Sequence, residues 1–289
     1  MMDVLVAGEI YVDLILSGFD TWPQPGQESF ASEFGREIGG GAAITACGLA
    51  GLGMNTGLLG VIGAEDSGWM IERLRQRGVD TSLLQVDQTE HTGITVAVSS
   101  SEDRSFFTYR GANRRFFEIF QNSVGARHLH LACVPPWDLD LAKLAGTGAV
   151  SLDAGWDPPW LKDPRALTWL SKIDIFFPNH AEASLMTGEN NPERILQCFQ
   201  RAGVKRVALK LGRDGAALLW DEAIYFEGPH RVTPIDTTGA GDCFDAGFIY
   251  AWLRGESPEK CLRTANLCGA LSTEARGGIQ GFPALERII

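Results

Sequence analysis

The chain has 289 residues, 45% hydrophobic and 21% charged, which is globular composition with ample length for a large core. A net charge of −11 and an isoelectric point near 4.9 argue against a nucleic-acid partner, but not against small anions, which backbone dipoles bind whatever the net charge. No apolar run reaches the ~18–20 residues of a membrane span, and no basic stretch leads an apolar one at the start, so neither a membrane partner nor a leader peptide is expected. The six cysteines are scattered without Cys-x-x-Cys spacing and read as reduced thiols of a cytoplasmic protein.

In chain order, an apolar strand is expected over residues 4–7, then a helix of small residues over 42–52 behind Gly39-Gly40-Gly41. A strand over 58–62 follows, and Asp66 reads as the N-cap of a helix ended by Gly78. Further on, strands over 129–132, 149–152 and 173–177 alternate with helices over 139–144 and from Asp163-Pro164. Asn191-Pro192 opens another helix, ended by Gly203, before strands over 207–211 and 217–220. A last helix opens at Ser257-Pro258 and is expected to run to Gly277-Gly278. Short apolar strands alternating with helices mean a mainly parallel sheet covered on both faces. Two β-rich stretches, 10–16 and 92–109, lack helices beside them and predict a separate small β flap; Ile94, Val96 and Val98 alternate there with Thr95, Ala97 and Ser99.

The segment that carries chemistry reads Asp236-Thr237-Thr238-Gly239-Ala240-Gly241-Asp242-Cys243-Phe244. Gly239, Ala240 and Gly241 leave the N–H groups of a turn clear to converge on one point. The stripe Phe244, Phe248, Ile249, Trp252 and Leu253 starts a helix there, ended by Gly255, and a helix N-terminus favours an anion. Asp242 adds a carboxylate at the same place. Two neighbouring negative groups repel, unless the carboxylate takes a proton from a hydroxyl while the turn holds a phosphoryl group in transfer. A plain glycine turn with Asp242 capping the helix is the alternative that the local sequence leaves open.

With its flanks, this segment resembles the C-terminal signature of the ribokinase-like, or phosphofructokinase B, family of carbohydrate kinases. Residues 39–68 resemble that family's N-terminal signature: Gly-Gly, a small-residue helix, Gly51-Leu52-Gly53, Leu59-Gly60-Val61-Ile62-Gly63 and Asp66-Ser67-Gly68. The resemblance covers essentially the whole chain. It implies one α/β kinase domain over residues 1–289, a ribokinase-like three-layer sandwich with a central, mainly parallel sheet. It also implies a small β-sheet lid from segments near 10–37 and 92–113, through which relatives pair as homodimers. The implied reaction is ATP-dependent phosphorylation of a hydroxyl or hydroxymethyl group on a small sugar, with Mg²⁺ and a K⁺ site.

The resemblance assigns roles residue by residue. Asp242 matches the base, and the backbone of Gly239, Ala240, Gly241 and Asp242 the anion hole. Asn179 and Glu182, from Asn179-His180-Ala181-Glu182, match the motif that places Mg²⁺; the same spacing is a good capping box. Lys210, Gly212 and Gly215 match the nucleotide-lining strand and turn, or make a plain hairpin turn. Asn266 matches a position near the adenine, or is an ordinary exposed helical residue. Asp236 and the carbonyl of Thr238 match the monovalent-cation site. On the acceptor side, Asp13, Gly40, Gly41, Thr45 and Arg110 match the substrate contacts; the plain alternatives are a solvated edge-strand carboxylate for Asp13 and a surface hairpin residue for Arg110.

Three departures leave the acceptor open. Thr45 replaces the family's usual asparagine. The stretch Ala132-Cys133-Val134-Pro135 lacks the glutamate that ribokinases often carry there, and Asp153-Ala154-Gly155-Trp156-Asp157 lacks the arginine found in fructokinases and ketodeoxygluconate kinases. Arg110, Arg114 and Arg115 keep a phosphorylated sugar open. A nucleoside kinase of the same fold is the alternative, since Tyr11, Phe107 and Trp156 are aromatics suited to stacking a base. A non-catalytic sugar sensor is a third reading, set against the intact Asp242. A dinucleotide oxidoreductase is disfavoured, because no Gly-x-Gly-x-x-Gly follows the first strand.

Overall fold

The structure, a computed structural model, describes every residue except 1, 20, 22–24, 100–103, 120–124, 142–147, 283, 284 and 289. Its strands are β1 (Met2–Gly8), β2 (Tyr11–Ser17), β3 (Glu33–Gly39), β4 (Thr56–Leu59), β5 (Val61–Gly63), β6 (Gln85–Asp87) and β7 (Gly93–Ser99). They continue as β8 (Arg104–Tyr109), β9 (Ala126–Ala132), β10 (Ala149–Asp153), β11 (Ile175–Phe176), β12 (Arg206–Lys210), β13 (Ala216–Trp220) and β14 (Ala223–Glu227). The helices are α1 (Gly41–Gly51), α2 (Ala64–Gln76), α3 (Phe116–Ile119), α4 (Pro158–Leu161), α5 (Arg165–Leu170), α6 (His180–Thr187), α7 (Pro192–Arg201), α8 (Ala240–Leu253) and α9 (Pro258–Ser272).

Eight strands form one sheet in the order β14-β13-β12-β11-β10-β9-β1-β4. From β4 to β12 neighbours run parallel, and β13 and β14 add an antiparallel edge. Side chains alternate across a strand, and β1 shows why both faces need cover. Val4 and Val6 bury against α1, α2, α8 and α9, while Leu5 and Ala7 bury against the cluster holding Trp160, Trp169 and Phe199. A strand apolar on both faces belongs in a three-layer sandwich.

The two β-rich segments do stand apart. They form a separate four-stranded sheet, β3-β2-β7-β8, with β2 and β7 parallel and the outer pairs antiparallel. Its root is pinned by buried Asn113, whose Oδ1 accepts from Ile10 N at 3.0 Å and whose Nδ2 donates to Ile10 O at 2.8 Å.

Several expected boundaries move. The strand over 58–62 is two strands. The chain leaves β1 at Gly60, whose carbonyl accepts from Gln85 N at 3.0 Å, and β5 pairs with β6 instead. Asp66 is not a cap. Its helix already begins at Ala64, with Gly63 before it bonded to Thr92 Oγ1 at 2.9 Å, and Asp66 instead pairs with Arg36 of β3. The strand over 173–177 shrinks to Ile175–Phe176, ahead of Pro178, which has no N–H to give. The last helix stops at Ser272. Ser272 and Thr273 hydroxyls donate back to the carbonyls of Gly269 and Ala270, and the chain turns so that Gly277 N donates to Asp236 Oδ2 at 3.0 Å. Of the expected helix over 139–144, residues 142–144 lie outside the described residues, and 139 and 140 are not helical. Among the described residues, no helix is long and apolar enough to cross a membrane.

Candidate active site

In a parallel sheet, ligands gather beyond the carboxyl ends of the strands. That edge here carries Glu9 after β1, Cys133 after β9, Asp153 at the end of β10 and Lys210 at the end of β12. The N-terminus of α8 comes to the same edge. Gly239 precedes it in the left-handed region at φ 75°, and a Cβ there would lie 2.8 Å from Gly278 Cα, so only glycine fits.

Two cavities meet at this point. One, of about 450 Å³, is charged, with Glu9, Arg110, Asp153, Asp157, Glu182 and Asp242 in its wall. The other, of about 600 Å³, is walled by Pro229, Val232, Pro234, Phe244 and Ala270, with Asn266 beside them. Lys210, Gly212 and Gly241 belong to both walls and mark the junction. A flat apolar slot suits a heterocycle, a charged bowl suits a polyhydroxyl compound, and the helix start between them suits a phosphate.

Asp242 stands on the charged side of that junction, in the first turn of α8. Burial, and then Asp153, push its carboxyl up to about 7; Asp13 and Glu182 add to this and Lys210 opposes it. A Cβ on Gly41 would lie 2.9 Å from Asp242 Oδ1, so the glycine of α1 leaves room for the carboxylate. Of the four expected anion-hole amides, that of Ala240 already donates to Thr237 O at 3.3 Å. Gly239 is in the wall of neither cavity, and the first turn of a helix has no upstream carbonyl for its amides, which leaves Gly241 and Asp242 as the candidate donors at the junction.

Beneath Asp242 lies a cluster that the local motifs do not reveal. Lys210 Nζ donates to Asp153 Oδ2 at 2.7 Å and to Asp245 Oδ1 at 3.2 Å. Burial alone would raise the Asp153 carboxyl, but Lys210 and a bond from Asp245 outweigh it and hold Asp153 low. Asp245, wholly buried on α8, is raised well above the carboxylate range by burial and by Asp153. Asp153 and Lys210 thus form the closer ion pair, and Asp245, also reached by Lys210, is biased toward its neutral form. Carboxylate oxygens of Asp153, Asp242 and Asp245 lie within 4.8 Å of one another, and Lys210 is the cation that makes such crowding tolerable.

Asn179 and Glu182 form the capping box of α6 in full. Asn179 Oδ1 accepts from Glu182 N and Glu182 Oε2 accepts from Asn179 N, both at 2.9 Å. Both residues also line the charged cavity. Burial and Asp153 raise the Glu182 carboxyl to about 7, so a cation arriving here finds an acid ready to ionise. Gly215 and Asn266 line the apolar cavity, and Asn266 Nδ2 donates to the carbonyls of Glu227 and Gly228 at 3.3 and 3.1 Å. Asp236 accepts from Thr238 N at 2.8 Å and from Gly277 N, in the wall of a third cavity of about 400 Å³.

The acceptor set divides. Gly41 and Arg110 line the charged cavity. Asp13 and Gly40 are not in its wall, although Asp13 is near enough to raise Asp242, and burial, Asp236 and Glu37 push Asp13 itself up to about 7. Thr45 needs correction. It is wholly buried, and its hydroxyl donates to the Asp242 carbonyl at 3.3 Å, so it ties α1 to the turn and presents nothing to a ligand. The sequence reading also passed over Glu9, Asp157 and Asp245. Asp245 is three residues past Asp242, one helical turn on, and that spacing is the signal that could have found it.

Residues 1–285 match the model of the pfkB family of carbohydrate kinases. An ATP-dependent ribose-1-phosphate kinase of Halopiger xanaduensis is 31% identical, covering 100% of this chain and 97% of its own. A 2-dehydro-3-deoxygluconokinase of Bacillus subtilis is 30% identical, over 89% of this chain and 87% of its own. Among solved structures, Arabidopsis thaliana ribokinase complexed with ribose and ATP superposes with a TM-score of 0.83 at 28% identity, covering 99% of this chain and 97% of that one.

Proposed function

The chain belongs to the pfkB family of carbohydrate kinases, and from that premise we propose that it transfers the γ-phosphoryl group of ATP to a hydroxyl of a small sugar or nucleoside. The observation that carries the reading is the placement of Asp242 and Gly241 where the apolar and charged cavities meet. The adenine would occupy the slot beside Phe244 and Asn266, and the acceptor the charged bowl. The terminal phosphate would reach the Gly241 and Asp242 amides.

In this reading Asp242 accepts the proton of the acceptor hydroxyl as its oxygen attacks phosphorus. A carboxyl raised to about 7 is well matched to that task near neutral pH. Lys210, fixed by Asp153, holds positive charge next to the transferring group without wandering into it. Gly241 and Asp242 donate to the phosphoryl oxygens, where preorganised donors are typically worth ~10²–10³ in rate. Magnesium bound with the phosphates would neutralise their charge, and the acid-rich wall suits it; Asn179 and Glu182 would hold its water shell. Asp236 and the Thr238 carbonyl would take a monovalent cation.

The reading extends to a cytoplasmic enzyme, on the strength of six free thiols, and to one kinase domain with the small sheet as its lid. It extends to a homodimer through that sheet, which exposes Phe34, Phe106 and Phe107; sedimentation reports the mass directly. The test of function is ADP release from ATP and Mg²⁺ across a panel of sugars and nucleosides. Acceptor-dependent release supports a kinase. Binding without release would instead support a sensor.

A further inference from the structure

Resting on the kinase reading above, we infer that the acceptor is an uncharged polyhydroxyl compound, selected by Glu9 and Asp157, which flank Arg110 and close the acceptor end of the cavity to a carboxylate or phosphate. Among the described residues Arg110 is the one guanidinium in that wall, and it faces two carboxylates: its Nε lies 3.7 Å from Glu9 and its Nη2 lies 3.5 Å from Asp157. The acids are the better anchored partners, with side chains 25% and 23% exposed against 52% for Arg110.

Each acid is held from behind. The Tyr11 hydroxyl donates to Glu9, and burial together with Glu9 raises the Tyr11 phenol, so it remains a donor at any ordinary pH. Asp157 is the N-cap of α4, with Oδ1 accepting from Trp160 N at 3.0 Å. Neither can withdraw easily to let an anion reach Arg110.

Three other cations, Arg115, Arg114 and Lys210, have partners of their own. Arg115 pairs with Asp87 at 2.6 Å and Glu118 at 3.0 Å, and Arg114 lies over the Tyr109 ring. Lys210 is held by Asp153 and Asp245. An anionic group entering beside Arg110 would face Glu9, Asp157 and Asp242 with one guanidinium in return. A sugar hydroxyl, by contrast, donates to Glu9 or Asp157 and accepts from Arg110. Repulsion of the wrong partner is a common source of specificity.

Matched pairs test this: ribose against ribose 1-phosphate, fructose against fructose 6-phosphate, sorbitol against gluconate, and a nucleoside against its 3′-phosphate. Calorimetry reads affinity whether or not transfer occurs, and ADP release is followed in parallel. The uncharged member of the best-bound pair should bind at least about tenfold more tightly, the factor that 1.4 kcal/mol represents. Raising the salt concentration should shrink that ratio, because screening weakens the repulsion. The double variant Glu9→Gln, Asp157→Asn keeps an acceptor for Tyr11 and a capping side chain, and it should shift the ratio toward the anion by at least about tenfold. Equal or tighter binding of the anion, no binding by any pair, or a folded variant with an unchanged ratio would overturn the inference. Absence of ADP release alongside selective binding would sink the kinase reading while leaving this one standing.

Discussion

The two cavities share three wall residues and little else. The larger is shaped by Pro229, Val232, Pro234 and Phe244, so its selectivity is one of shape and apolar contact. The smaller collects five acids from separate parts of the chain: Glu9, Asp153, Asp157, Glu182 and Asp242. Crowding like charges is unfavourable, and the protein meets it by raising Asp242 and Glu182 to about 7 and by burying Lys210 among them. One half of the site could thus be built by packing alone. The other stores charge that a bound substrate and metal would rearrange.

Breaking the charged half at its centre should have the largest effect. Asp242→Asn keeps size but cannot take a proton, so kcat should fall at least about a hundredfold while nucleotide affinity holds or improves. Since Gly239 and not Asp242 is the N-cap of α8, a variant with near wild-type turnover would leave Asp242 without a part in the transfer. The pH profile carries the same information. With its carboxyl near 7, wild-type kcat/KM should rise through neutral pH and level off above it. A carboxyl raised in the folded state adds stability below its unfolded value and loses it as pH climbs through the folded one. The stability of Asp242→Asn relative to wild type should therefore grow between about pH 4 and pH 7 in urea titrations and level off above that.

Next in size is Lys210→Met. It leaves Asp153 and Asp245 buried without their cation, which typically costs about 3–5 kcal/mol. Adding Asp153→Asn and Asp245→Asn should recover part of that loss, a coupling read by denaturant unfolding. Glu182→Gln comes third. Glutamine can still close the capping box, so stability should hardly move, while the Mg²⁺ concentration for half-maximal rate rises roughly tenfold. A change in melting temperature alone would mean that Glu182 serves only the helix. Smallest is Asn266→Ala, on the apolar side. Losing neutral hydrogen bonds worth about 1 kcal/mol should raise the nucleotide KM severalfold and leave the acceptor KM alone.

The same divide governs what the sequence made legible. The α8 turn, the small-residue helix α1 and the alternation of strand and helix are local patterns, and each stands where the spacing put it. So does the flap as a separate sheet, although Ile94, Val96 and Val98 are only half-buried and Ala97, on the other face of the strand, is the buried one. Local capping signals were less secure: Asp66 has a capping residue's chemistry, yet Arg36 claims its carboxylate from another sheet. The charge cluster was invisible for the same reason on a larger scale. Asp153, Lys210 and Asp245 sit on three separate elements, and only the register of β10 and β12 beside α8 brings them together. Thr45 shows the converse, a motif position found correctly whose side chain turns inward to the Asp242 carbonyl.

The division of the site into a nucleotide half and an acceptor half can be tested without mutation, by hydrogen exchange of the whole protein with ADP and Mg²⁺ added. Ligand contact slows the opening that exposes backbone amides. The account predicts slower exchange in residues 229–234 and 266–273 and at the start of α8, with residues 9–12 and 153–157 slowed only when an acceptor is added. Protection of residues 9–12 and 153–157 by ADP alone, with 229–234 and 266–273 unchanged, would contradict it.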